Sequence, residues 1–145
     1  AMGWDGAVAA SDVVLEITER SGIEDFHSFG RRLEEIRALG FQLAIDDVGT
    51  GYSSLQTISE VRPEFLKIDH SLVKGIHESL IKQEIVGSIL QLGERIGSQV
   101  IAEGIEREEE YEMIRGFGVQ LGQGYLFGAP GPHPVGAGGP PSERT

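Results

Sequence analysis

The sequence predicts an α/β fold with about five short strands that alternate with helices and pair in parallel. Short apolar runs, typical of buried strands, alternate along the chain with longer segments whose apolar residues recur at helical spacing. Strands that alternate with helices favour parallel pairing through crossover connections. Four of these runs also end in an acid or a lysine, and parallel strands bring such ends to one edge of a sheet.

The first half of the chain supplies three predicted strands, at 13–17, 41–45 and 65–68. A helix is predicted over 23–39, since its apolar residues keep helical spacing and Gly40 follows as a stop signal. These residues are Phe26, Phe29, Leu33, Ile36 and Leu39. A short helix over 55–61 is expected to end before Pro63, because a residue preceding proline avoids the helical conformation.

The second half predicts a helix over 81–96, a strand over 100–102, a helix over 107–115 and a last strand over 119–125. The longer helix carries an apolar stripe and is closed by Gly97. The stripe consists of Ile85, Ile89, Leu92 and Ile96. Residues 1–12 show no clear period, and the leading Ala-Met is typical of a cloning remnant. The Gly- and Pro-rich stretch 131–145 is expected to be disordered, which leaves one domain over 13–130.

Composition excludes several classes of function. The chain has 145 residues, enough for one domain with a core but fewer than the roughly 250 of a complete (β/α)₈ barrel. It has no cysteine, so a disulfide framework or a thiolate metal site is excluded, and a cytoplasmic location is expected. A net charge of −11 disfavours binding to a DNA or RNA backbone. No apolar run approaches the length of a membrane span, so no membrane contact is expected from this segment.

Side-chain alternation predicts a shared site at the strand ends. If the more apolar face of each strand meets the helices, then Glu16, Asp46, Lys67 and Glu103 all turn inward near the carboxyl ends of their strands. Parallel α/β folds place catalytic groups at these ends. The alternative is that these acids only cap helices and solvate loops, which is the more common use of an acid. For Asp69, Glu60 and Glu106 this alternative is at least as well supported as a role in the site.

Clustered carboxylates raise one another's pKa unless a cation neutralises them, and oxygen ligands favour Mg²⁺, Mn²⁺ or Ca²⁺. Asp46 and Asp47 are adjacent and could serve two ions if the strand ends between them. Gly49 and Gly51 would let the following loop take a positive φ or approach a ligand. Ser53 and Ser54 are candidate helix caps in the same loop.

Five segments resemble, in order and spacing, the EAL family of cyclic-di-GMP phosphodiesterases. They are VVLEITE at 13–19, DDVGTGYSSL at 46–55, LKIDHSLV at 66–73, IAEGIE at 101–106 and QGYLFGAP at 123–130. The resemblance implies a (β/α)₈-like barrel, of which this chain would be a partial TIM-like barrel with strands four to eight. It also implies hydrolysis of one phosphodiester of cyclic-di-GMP to the linear dinucleotide with Mg²⁺ or Mn²⁺, and inhibition by Ca²⁺.

The resemblance also implies roles for individual residues. Glu16 and Asp46 would bind a first metal, and Asp46, Asp47 and Glu103 a second. Lys67 would contact the nucleophilic water, and Glu19 would steady the glycine loop near Asp47. Gln123 would lie beside the substrate or its water network. Asp47, Gly49, Gly51 and Gln123 would line the substrate site.

The chain also departs from the family pattern. It contains no Glu-Ala-Leu sequence and no asparagine, although the family uses a Glu and an Asn from those motifs as first-metal ligands; Val48 replaces the usual loop Phe. We therefore expect little or no turnover from this chain alone, and a non-catalytic module for cyclic-di-GMP binding or dimerisation stays open. A partial barrel leaves strand edges open, so a homo-oligomer is expected.

Overall fold

The structure is a computed structural model that describes residues 8–18 and 26–131. Five parallel strands form one sheet in the order of the sequence, from β1 to β5. The strands span Val14–Ile17, Gln42–Val48, Phe65–Ile68, Gln99–Ala102 and Leu121–Gly122. The predicted fold class, a partial α/β barrel of about five parallel strands alternating with helices, is confirmed.

Five α-helices lie among the described residues, together with short 3₁₀ turns at Ala10–Asp12 and Ile76–Glu78. Helices α1 to α5 span Phe26–Ala38, Tyr52–Val61, His70–Val73, Leu80–Ile96 and Glu108–Gly116. Within 8–18 and 26–131, no helix combines the length and the apolar character that a membrane crossing requires.

The core lies between the sheet and its helices. Leu43 and Ile45 of β2 and Leu66 and Ile68 of β3 are at most 2% exposed. They belong to one apolar cluster with Val86 and Ile89 of α4 and with residues of the other long helices. Helix α4 comes close to the sheet at Gly93, where an added Cβ would lie 2.9 Å from Val100 Cγ2. Close packing of this kind fixes the position of β3, which carries Lys67, and of β4, which leads into Glu103.

Two predictions about helices need correction, and one helix was not predicted. The buried face of α4 is centred on Val86, Ile89 and Gly93, whereas Ile85 and Ile96 of the predicted stripe are 37% and 40% exposed. Helix α2 begins at Tyr52 with Gly51 at the N-cap position that was expected for Ser53 or Ser54, and these two serines lie inside the helix. Helix α3 was not predicted, because four residues are too few to show a helical period.

The last strand is also shorter than the predicted 119–125. Only Leu121–Gly122 pairs with β4. After Gln123 donates its backbone N–H to the Ala102 carbonyl, the chain turns at Gly124 (φ 156°) and bonds to the backbone of Ile105. The β4–α5 loop thus takes the hydrogen bonds that a longer strand would have used.

Candidate active site

Lys67 lies at the centre of a charged cluster, on the middle strand of the sheet. Its side chain is only 5% exposed. Nζ donates a hydrogen bond to Glu16 Oε1 on β1. The same nitrogen lies 2.5 Å from Glu103 Oε1, just after β4, and 3.9 Å from Asp46 Oδ1 on β2. The structure therefore brings together all four charged residues that the alternation argument predicted to converge.

The environment keeps Lys67 protonated. Burial by itself would lower the pKa of Lys67, but hydrogen bonds to Glu103 and Glu16 outweigh it, and the charges of Glu103 and Asp46 add to their effect. The pKa of Lys67 is therefore raised above its ordinary value. This lysine acts as a fixed positive charge and hydrogen-bond donor, and it cannot serve as a neutral base near pH 7.

Asp46 and Asp47 reach the same cluster because β2 is bulged. Ile45 pairs with Leu66 and Val48 with Ile68, so β2 holds one more residue than β3 over this interval. Asp47 adopts a left-handed backbone with φ 55°. In a regular strand the two side chains would point to opposite faces, and a bulge re-aims one of them. The strand was predicted to end at Ile45 but continues to Val48, so the condition of a strand end between the two acids is not met, and the bulge brings the acids together instead.

Three carboxylates form a candidate metal centre. One oxygen from each of Asp46, Asp47 and Glu103 lies within 4.8 Å of the others. The pKa of Glu103 is raised to about 7, chiefly by burial; Lys67 lowers it through a hydrogen bond and its charge, and Asp46 raises it through a hydrogen bond and its charge. The all-oxygen donor set fits Mg²⁺ or Mn²⁺.

Glu16 is placed differently from these three acids. It belongs to the cluster through its hydrogen bond to Lys67, and its side chain is 46% exposed. Among the described residues, the set of acids close enough to share one ion does not include it. Its predicted role as a ligand of the first metal stays a prediction.

Gln123 lies next to Glu103. Its Nε2 atom is 3.5 Å from Glu103 Oε1, at the limit of a hydrogen bond. The glycine that follows it, Gly124, has no room for a side chain, because a Cβ there would lie 2.1 Å from the Ile105 carbonyl oxygen. The chain therefore approaches the β4–α5 loop closely at this point, next to Gln123.

Of the two glycines in the loop after β2, only Gly49 takes a positive φ. Gly49 has φ 101°, and a Cβ there would lie 2.5 Å from Leu72 Cδ1 of α3. Gly51 is extended, with φ −172°, a conformation open to any residue. Thr50 fixes the turn by donating its hydroxyl to the Asp47 carbonyl oxygen at 2.8 Å. Glu19, predicted to steady this loop, lies outside the described residues.

Asp69 is a site neighbour that the sequence analysis treated as an ordinary acid. It caps α3 by accepting a hydrogen bond from the Ser71 backbone N–H at 2.8 Å. Burial would raise its pKa, but hydrogen bonds from the Ser71 side chain and backbone, a side-chain hydrogen bond with Asp47 and the nearby His70 lower it below the ordinary value. Its position two residues after Lys67 was the available signal, since residues two apart in a strand share a face.

The fold and the site together define a class of protein. It consists of partial α/β barrels with a group of carboxylates, close enough to hold a metal ion, at the carboxyl ends of their strands. Residues 5–130 match the family model described as the EAL domain. The chain belongs to this family and corresponds to the C-terminal part of the domain.

Three relatives illustrate the match. A protein described as a probable cyclic di-GMP phosphodiesterase, PdeD of Escherichia coli K12, is 36% identical over 129 residues, which are 89% of this chain and 24% of that protein. Klebsiella pneumoniae BlrP1, solved as a manganese and cyclic-di-GMP complex, superposes with a TM-score of 0.76 at 39% identity over 82% of this chain and 30% of BlrP1. A standalone Vibrio cholerae EAL protein, solved with bound cyclic-di-GMP, superposes with a TM-score of 0.75 at 35% identity. The match covers 80% of this chain and 49% of the Vibrio protein. The chain therefore spans about a quarter of the length of this curated relative.

Proposed function

We propose that this chain carries most of the active site of a phosphodiesterase that hydrolyses one phosphodiester of cyclic-di-GMP to the linear dinucleotide. The observation that supports this most directly is the convergence of Glu16, Asp46 and Glu103 on buried Lys67 at the carboxyl ends of neighbouring strands. The cyclic-di-GMP complexes of related structures indicate the substrate.

In this proposal Glu16 and Asp46 would hold a first divalent ion at the strand ends, and Asp46, Asp47 and Glu103 would hold a second, each Mg²⁺ or Mn²⁺. Ions of this kind, when bound, polarise a phosphoryl oxygen and lower the pKa of a coordinated water. Ca²⁺ would bind the same oxygens and inhibit. The mutual proximity of the Asp46, Asp47 and Glu103 oxygens supports the second site in particular.

The protein's own groups would orient the substrate and the attacking water. Lys67 would hold the water in place and balance the negative charge that develops on the phosphate, a role that suits a lysine held protonated. Gln123 would hydrogen-bond the substrate or its waters beside Glu103. Asp47, Gly49 and Gly51 would line the substrate site, and Glu19 would steady their loop.

We further propose that this chain by itself has little or no activity. It contains neither a Glu-Ala-Leu sequence nor any asparagine, and the family draws first-metal ligands from those motifs. Loss of two first-metal ligands should lower turnover by orders of magnitude, since even the loss of residues that support ligands costs about 10–100-fold. Robust, metal-dependent hydrolysis by the purified chain would contradict this.

A chimera tests the proposed activity itself. Residues 13–130 would replace the corresponding segment of the standalone Vibrio cholerae EAL protein, and cyclic-di-GMP hydrolysis would be measured with Mn²⁺. We expect the chimera to be active and its Asp46→Asn variant to be inactive. The matched control is Glu94→Gln, an exposed acid on α4. A folded chimera that binds cyclic-di-GMP but does not hydrolyse it would instead favour the alternative, a non-catalytic cyclic-di-GMP-binding module.

Self-association is a separate proposal, supported by the open edges of the sheet. β1 pairs only with β2, and β5 only with β4, among the strands that the structure describes. Val14 and Leu121 on these edge strands are each 37% exposed. Unpaired edges with apolar side chains favour association with a second copy. Light scattering at micromolar concentration should show a homo-oligomer, and a monodisperse monomer would contradict this.

We also propose a cytoplasmic location for the protein, with no nucleic-acid polymer as partner.

A further inference from the structure

Glu110 is a buried acid that the proposed chemistry does not use. It lies in the first turn of α5 and is only 2% exposed. Its Oε1 atom accepts a hydrogen bond from the backbone N–H of Gly75 at 2.9 Å. Its Oε2 atom accepts from the backbone N–H groups of Glu106 and Arg107 at 3.1 and 3.2 Å. One carboxylate thus joins two segments of backbone that are far apart in the sequence.

Both segments lead directly away from the candidate site. Gly75 follows α3, which begins immediately after the strand that carries Lys67. Glu106 and Arg107 end the loop that begins at Glu103. At the near end of this loop, the Glu103 N–H bonds to the Ile68 carbonyl at 3.1 Å. Beyond this contact, Glu110 is the side chain that fastens the far end of the loop to the turn after α3.

The hydrogen bonds explain why a carboxylate is tolerated at this buried position. Burial would raise the pKa of Glu110, but the N–H groups of Gly75, Glu106 and Arg107 outweigh it and lower the pKa below its ordinary value. A buried charge is stable only when such partners satisfy it. A helix cap alone requires only the bonds to the first turn of the helix, and the bond to Gly75 is additional to that requirement.

We propose that Glu110 is a positioning residue of the active site: it ties loop 103–107 to the turn at Gly75 and so holds the Glu103 carboxylate against Lys67, Asp46 and Asp47. This inference rests on the proposed metal-dependent function for its consequence, but its geometric part can be tested independently. Glu110 belongs neither to the Lys67 cluster nor to the candidate metal group.

Two variants separate the hydrogen bond from Gly75, which is the tether, from the hydrogen bonds from Glu106 and Arg107, which form the helix cap. In Glu110→Gln the amide oxygen can still accept from Glu106 and Arg107, and the amide NH₂ then faces the Gly75 N–H, so the cap is kept and the tether is lost. Glu110→Ala removes both. Glu109→Gln is the matched control, because Glu109 is an exposed acid on the same helical turn and its change removes the same charge.

The first measurement is Mn²⁺ binding to the full chain, by electron paramagnetic resonance of the free ion, at a temperature where circular dichroism shows each variant folded. We expect the Mn²⁺ dissociation constant to rise about tenfold in Glu110→Gln, as for other groups that support metal ligands, and to rise further in Glu110→Ala. Glu109→Gln should stay within twofold of the parent chain. A folded Glu110→Gln with parental Mn²⁺ affinity would overturn the proposal.

The second measurement separates failure of this proposal from failure of the proposed function. If the parent chain binds no Mn²⁺, the proposed metal function fails for this chain, and amide hydrogen exchange at Glu103 decides the positioning role. Exchange at least about tenfold faster in Glu110→Gln than in Glu109→Gln supports it, and equal rates overturn it. If Glu110→Gln does not fold, Glu110 serves global folding and the positioning role is rejected.

Discussion

The Nζ atom of Lys67 lies 2.5 Å from Oε1 of Glu103, and this contact joins the central strand of the sheet to its neighbour at the candidate site. Both side chains are largely buried, at 5% and 15% exposure. Buried ion pairs of this kind are costly to break from one side, because the remaining charge is left without its partner.

Replacing Lys67 by Met should therefore destabilise the metal-free chain. The variant leaves Glu16, Asp46 and Glu103 without their shared hydrogen-bond donor and positive charge, and we expect the free energy of unfolding at pH 7 to fall by about 3 kcal/mol. Urea denaturation measures this. Lys74→Met, at an exposed position, removes the same charge and should change stability by less than about 0.5 kcal/mol. Equal effects of the two substitutions would show that Lys67 does not stabilise the acid cluster.

The raised pKa of Glu103 predicts a pH dependence of stability. Its pKa is about 7 in the folded chain against 4.5 ordinarily, so between these values the folded state binds more protons than the unfolded state. Stability from this group is complete below pH 4.5 and is lost as pH rises through 7, by roughly 3 kcal/mol at about 1.4 kcal/mol per unit.

Urea denaturation of the metal-free chain at pH 5 and pH 8 tests this dependence. Glu103→Gln cannot titrate and should flatten the profile, whereas Glu94→Gln at an exposed site should leave it as in the parent chain. Saturating Mn²⁺ should reverse the trend, because the ion binds the ionised carboxylate. A Glu103→Gln profile as steep as that of the parent would assign the dependence to another group.

Metal affinity should depend strongly on Asp46, which the proposal assigns to both ions. Asp46→Asn should weaken Mn²⁺ binding at least about 100-fold, since the loss of groups that merely support ligands already costs 10–100-fold. Isothermal titration calorimetry provides the measurement. Glu60→Gln, an exposed acid on α2, is the control and should have less than a twofold effect. Comparable losses in both variants would indicate diffuse binding to a negatively charged surface.

Gly49 should not tolerate a side chain. A Cβ at this position would lie 2.5 Å from Leu72 Cδ1, and its φ of 101° is unfavourable for any residue with a side chain. We expect Gly49→Ala to lower the free energy of unfolding by about 1–3 kcal/mol. Gly87→Ala, inside α4 with its nearest neighbour 3.9 Å away, should raise it by up to about 1 kcal/mol. Thermal denaturation of both variants shows whether each substitution lowers or raises stability. A Gly49→Ala variant as stable as the parent chain would mean that the loop can move away from α3.

The sequence predicted those helices and strands whose apolar pattern extends over many residues or whose ends are marked by glycine. The α4 helix ends at Gly97, in the left-handed conformation that favours glycine, as its sequence indicated. Prediction from the sequence failed where the local signal is weak, as for the four-residue helix α3. It also failed where another segment takes up the backbone hydrogen bonds of a predicted strand, as at Gly124.

The sequence by itself determined the order of the elements and which face of each strand carries charge, because side-chain alternation and apolar periodicity are properties of the local chain. Only the tertiary structure decided that Asp47 joins Asp46 on one face, that Lys67 is shared by three acids, and that Glu110 fastens the Glu103 loop. These features depend on register shifts and on contacts between distant segments, which arise when strands pair and pack and leave no periodic trace in the sequence.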